Sequence, residues 1–166
     1  MNISIRRILF PTDFSGPAKE AQEYATKLAE QFDAELHLLH VVPPPMPSPH
    51  PATPWVTAEN ELRLLIELSD QRLAKVLCEK WSQEQRVFHT TVLGFSVEEI
   101  LKYADVHKID LIVLGTHGHT GLSHLLMGSV AEKVVRMAHC PVLTVHPQGH
   151  QFLVETKAED IALSEV

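Results

Sequence analysis

The chain has 166 residues, of which 45% are hydrophobic, and its formal net charge is −7. That length supports one domain burying roughly two thirds of its unfolded surface, with little room for a second core. An acidic surface repels duplex DNA and anionic membrane faces, so neither is an expected partner, and a small anion would need a local positive field.

The first predicted strand is Arg7 to Phe10, and the chain turns polar at once, through Pro11 and Asp13. That is too early for a secretory signal. Ala18, Ala21, Ala25, Leu28, Ala29 and Phe32 then recur at three- and four-residue steps, which places them on one helix face. A second strand, Glu35 to Val42, leads into PPPMPSPHPATP, Pro43 to Pro54, which holds seven of the eleven prolines. This loop (43–54) should be extended and exposed; it reads as a stiff crossover or as a proline-rich ligand for a regulatory protein partner.

Leu62, Leu65, Ile66, Leu73, Val76 and Leu77 form the inward stripe of a second, longer helix. The third strand is Val87 to Leu93. A capping box of Ser96 with Glu99 opens a third helix whose Val97, Ile100, Leu101 and Ala104 point inward. The fourth strand is Asp110 to Gly115. A second capping box, Ser129 with Glu132, opens the fourth helix, with Val130, Val134 and Ala138 inward and Pro141 preventing its continuation. The fifth strand is Pro141 to His146, and the tail 148–166 fits disorder as well as it fits a loose strand or helix.

Strict alternation of strands and helices implies a parallel sheet covered on both faces, a three-layer α/β sandwich with right-handed crossovers. Ligands of such sheets sit beyond the carboxyl ends of the strands. The stretch GTHGHTGLSHLLMGSVAEKV, Gly115 to Val134, lies at such an end, and it runs from a strand to a helix start. Its glycines let the backbone approach a phosphate, and the helix beginning near Ser129 offers unpaired N–H groups and a favourable dipole. The bland reading is that Ser129 only caps its helix and the glycines only make turns. No GxxxxGK[ST] string is present, so this is not a Walker A loop.

Taken together, RILFPTDFS, LHLLHVV and VEEILKYADVHKIDLIVLGTHGHTGLSHLLMGSVAEKVVRMAHCPVLTV resemble the universal stress protein family, from about Ile5 to His146. The spacing Gly115, Gly118, Gly128-Ser129 matches the G-x2-G-x9-G-[ST] string of the family's ATP-binding members. The resemblance implies a domain over 1–147 of Rossmann-like, adenine nucleotide alpha hydrolase-like architecture: a five-stranded parallel sheet ordered 3-2-1-4-5. It implies adenine nucleotide (ATP, ADP or AMP) where the order reverses. Pro11, Thr12 and Asp13 would lie along the adenosine, and the backbone of Val41 would read the adenine edge. Gly115, Gly118, His119, Gly128, Ser129 and Val130 would line the ribose and phosphates. Mg²⁺ or Mn²⁺ would ride on phosphate oxygens. The family also implies a homodimer through the fifth strand, Val142 to Val145, and a role as a nucleotide-responsive stress regulator with at most slow ATP hydrolysis.

Two departures stand out. His119 occupies a position where the family commonly has a basic residue, and a mostly neutral imidazole supplies less charge to a phosphate. GFSVEEI replaces the usual Gly-x-Pro start of the third helix.

Rival readings rest on the same residues. Thr116-His117-Gly118-His119 spells the TxGH of nucleotidylyltransferases, but that signature belongs after a first strand and directly before a helix. His117, His119 and His124 lack the i, i+4 geometry and the cysteine or carboxylate partners of common zinc sites. A nucleotide-free dimeric interaction module is the third alternative. His37 and His40 are read as packing residues, and Cys140 as buried filler. Cys78 and Cys140 have no partner at zinc or CxxC spacing, and no run approaches the ~20 apolar residues of a membrane span. The expected location is the cytoplasm.

Overall fold

A computed structural model describes residues 2–44, 55–77, 81, 85–116 and 127–146. Its elements in chain order are β1 (Arg7–Pro11), α1 (Gly16–Phe32), β2 (Glu35–Val42), α2 (Trp55–Leu73), β3 (Val87–Leu93), α3 (Ser96–Val106), β4 (Leu111–Gly115), α4 (Ser129–Met137) and β5 (Val142–Val145). All four strand pairings are parallel, and the order is β3-β2-β1-β4-β5. This is the architecture expected from the sequence. The proline loop 45–54, the residues 117–126 and the tail beyond His146 lie outside the described residues.

The central strands are apolar on both faces because both faces are covered. Ile8, Phe10, Leu36, Leu38 and Val113 pack with Ala18, Ala21, Ala25 and Ala29 of α1 and with Leu73 of α2. On the other face Leu9, Leu39, Ile112 and Leu114 meet Ile100, Tyr103 and Ala104 of α3 and Ala131 and Val134 of α4. Alanines on α1 let its backbone approach the sheet closely. A side-chain cap, Ser15 Oγ accepting from Ala18 N at 3.3 Å, starts α1, and Asp33 ends it in the left-handed region.

Several local expectations are corrected. Neither capping box forms: Phe95 and Gly128 are the N-caps, and neither α3 nor α4 has a side-chain cap bond. Both chains enter extended one residue earlier than expected, so Ser96 and Ser129 already lie inside their helices and cannot fold back onto the second or third amide. The second helix ends at Leu73; Val76 and Leu77 still reach the core, but from the turn that follows. Leu65 does not point into a core and is 52% exposed, beside Leu64 and Leu68. The covered stripe runs through Leu62, Ile66 and Leu73, of which the first two are partly buried, and Leu65 sits to one side of it. In α3, Leu101 is only partly buried, and Tyr103, absent from the expected stripe, is buried.

His37 is a core residue, as packing predicts. It is 4% exposed, its Nδ1 lies 3.0 Å from the Tyr103 hydroxyl, and its ring stacks on Phe88. Burial, reinforced by the neighbouring His107, pushes its pKa below the ordinary histidine value.

Candidate functional site

The site is built where the strand order reverses, from the chain segments that leave β1, β2 and β4. At the end of β1, Thr12 N donates to Leu39 O at 2.9 Å, and then the chain turns. Two side chains shape that turn. Thr12 Oγ1 accepts from Phe14 N and Asp13 Oδ1 accepts from Ser15 N, each at 3.0 Å. Between them Phe14 is held at φ +63°, a conformation that bulky residues rarely adopt. The ring it projects lies 4.4 Å from that of His40, and the Arg72 guanidinium sits over it at 4.3 Å. His40 Nδ1 is 2.8 Å from Thr12 O, and because a carbonyl can only accept, that nitrogen carries the proton.

The end of β2 follows from register. Along this strand the backbone groups alternate between its two neighbours. Leu36 N bonds to Arg86 O and Val42 O accepts from Gly94 N, so the even-numbered residues face β3. Glu35 N bonds to Arg6 O and Leu39 O accepts from Thr12 N, so the odd-numbered residues face β1. Val41 is odd, yet β1 pairs with β2 only as far as Pro11 with Leu39. The amide and carbonyl of Val41 therefore point past the end of β1, into open space.

At the end of β4, Thr116 N donates to Val145 O at 2.9 Å, and Thr116 O accepts from Gly128 N at 2.6 Å. This pair of bonds brings Gly115 beside the start of α4 and closes the intervening loop at its base. The first helical bond of α4 runs from Glu132 N to Gly128 O, so the amides of Ser129, Val130 and Ala131 precede the helical ladder. They give this end of the site its positive potential.

These groups enclose a cavity of about 610 Å³, within the size range of ligand sites, and its wall is mixed in character. Leu39, Ile100 and Leu114 offer apolar surface, while Asp13 and the α4 amides offer an acceptor and donors. Of the ten residues expected from the sequence, eight line it: Pro11, Thr12, Asp13, Val41, Gly115, Gly128, Ser129 and Val130. Gly118 and His119 lie outside the described residues. The lining also includes Phe14, His40 and Arg72, which sequence reasoning missed. A basic residue in the last turn of a surface helix gives no signal of its own; only the crossover that brings α2 over Phe14 reveals it.

The sequence matches the family-wide profile of the Universal stress protein family over residues 4–146. This chain belongs to the universal stress protein family. It is 41% identical over 147 residues to Universal stress protein MJ0531 of Methanocaldococcus jannaschii, covering 84% of this chain and 81% of that protein. Among solved structures of the family and its fold, protein MJ0577 superposes with a TM-score of 0.69 at 30% identity, covering 89% of this chain and all of that one. A universal stress protein crystallised in complex with cAMP shares the fold at a TM-score of 0.58 and 22% identity, over 87% of this chain and 98% of that chain.

The histidines of the metal reading, His117, His119 and His124, and the TxGH residues after Thr116 lie outside the described residues, and among the described ones no group of three or more His, Cys, Asp and Glu side chains is placed to hold a metal ion. Burial raises the Cys140 thiol pKa, the opposite of what a nucleophile needs. No described helix is long and apolar enough to cross a membrane.

Proposed function

We propose that this cavity binds an adenine nucleotide, with ATP as the functional ligand, and that the protein is a cytoplasmic, nucleotide-responsive stress regulator. One observation carries the reading: the Val41 amide and carbonyl and the free amides of α4 open into the same cavity. A donor and an acceptor on one residue of a strand suit the edge of a purine, and helix N-terminal amides suit phosphate. The apolar wall between them fits the faces of a base. Within this reading Pro11, Thr12 and Asp13 flank the ribose and base, with Asp13 accepting from hydroxyl or amino donors. Gly115, Gly128, Ser129 and Val130 hold the phosphates, and Gly118 and His119 keep the phosphate role that the family resemblance implies for them. The serine supports this role because, as the first residue of its helix, its hydroxyl is not engaged in capping.

Mg²⁺ or Mn²⁺ would add charge neutralisation on phosphate oxygens. Hydrolysis is slow in this reading, since among the described lining residues none is a general base paired with Ser129. Nucleotide then acts by stabilising the conformation or partner complex that its bound loop fits. Family proteins of known structure hold an adenine nucleotide in at least one case, the cAMP complex.

The test is calorimetric titration with ATP of the native chain, Gly118→Val and Asp13→Ala. Saturable binding by the native chain, weakened about tenfold or more in both variants, is the expected result. A native chain that takes up no heat with ATP, or variants that bind as well as native, would refute the assignment.

A further inference from the structure

We infer that Arg72 is the phosphate-charge sensor of this site, an arm from α2 that contacts the phosphoryl groups and makes affinity depend on their number. The inference rests on the nucleotide reading above and deepens it. Arg72 lies in the last turn of α2 and lines the same cavity as Asp13, Gly128 and Ser129. Among the described lining residues it is the one permanently charged cation, and Asp13 is the one carboxylate. In a chain of net charge −7, a phosphate chain entering the cavity meets an unfavourable long-range field. The α4 dipole offsets part of it.

The geometry positions Arg72 for that task. Its guanidinium carbon lies over the Phe14 ring, 4.3 Å from the centre, and a guanidinium attracted to a ring face still has N–H donors to offer an anion. Phe14 is in turn fixed in the left-handed region by the Thr12 and Asp13 bonds that form the floor of the site. Among the described residues Arg72 forms no ion pair that would neutralise it. A strained aromatic residue inside the adenosine-side loop thus anchors a cation delivered from a separate crossover helix. Charge-assisted contacts of a guanidinium to phosphate oxygens are stronger than neutral ones.

The experiment titrates adenosine, AMP and ATP into the native chain, Arg72→Gln and Phe14→Leu, at two ionic strengths. Native affinity should rise from adenosine to ATP. Arg72→Gln should weaken ATP by about tenfold or more while adenosine stays within about twofold, and the salt dependence of ATP binding should flatten. Phe14→Leu keeps the charge and loses the ring, so its ATP loss should be smaller and in the same direction. ATP binding unchanged in Arg72→Gln, or adenosine and ATP weakened equally, would overturn the inference while leaving nucleotide binding intact. A native chain that binds none of the three would overturn both.

Discussion

The Thr12-Asp13-Phe14 turn carries two jobs in three residues. The Asp13 side chain accepts from Ser15 N, which shapes the loop, and its carboxylate also lines the cavity. The two jobs can be separated. Asp13→Asn keeps an oxygen for Ser15 N and removes the charge, so thermal unfolding should stay within about 0.5 kcal/mol of native. Asp13→Ala loses the loop bond as well and should cost about 1 kcal/mol of stability. Both should weaken nucleotide. Thermal melts and titration of the two variants check this, and an Asp13→Asn chain that melts like Asp13→Ala would show that the charge itself holds the turn.

At the level of elements, α2 is divided between packing and projection. Leu73 is fully buried in the core shared with α1, whereas Leu64, Leu65 and Leu68 are 46–55% exposed. Leu73→Ala should therefore cost about 2–5 kcal/mol, the usual price of a cavity in a packed core, and Leu65→Ala should fall within about 0.5 kcal/mol. Chemical denaturation of both variants tests the division; a large loss from Leu65→Ala would mean that this face is covered in solution. Periodicity alone cannot make the distinction. Leu65 sits beside the line that runs from Leu62 and Ile66 to Leu73, and whether an apolar residue at a stripe's margin is covered depends on what packs against it. The capping boxes fail for a related reason. Ser96-Glu99 and Ser129-Glu132 have the right spacing, but a one-residue change in where each helix starts turns a cap into a first helical residue.

For the molecule as a whole, the sheet order leaves β3 and β5 as edges. Ile112 N bonds to Pro141 O and Thr116 N to Val145 O, so the odd-numbered residues of β5 face β4. Val142 and Thr144 then point their backbone groups outward, where antiparallel pairing with a second copy would satisfy them. Dimerisation through Val142–Val145, which the family resemblance implies, is proposed on this outward edge and has a clean test. Thr144→Pro removes an outward N–H without cutting the β4 ladder. Light scattering should find the native chain dimeric and Thr144→Pro monomeric, with little change in the monomer's fold; a dimer that survives the substitution would place the interface elsewhere.

The sequence by itself determined the alternation of strands and helices, the five strand positions and eight of the nineteen residues that line the cavity. These are written locally, in hydrophobic period, in a proline and an aspartate after β1, and in glycines before a helix. The family string then supplied what periodicity cannot, the 3-2-1-4-5 order. Tertiary structure decided the remainder. It turned Val41's backbone toward the cavity because β1 stops at Pro11, left Leu65 at the uncovered margin of the α2 stripe, and brought Arg72 over Phe14. Each of these depends on where two segments distant in sequence lie relative to one another, and no local pattern encodes that distance.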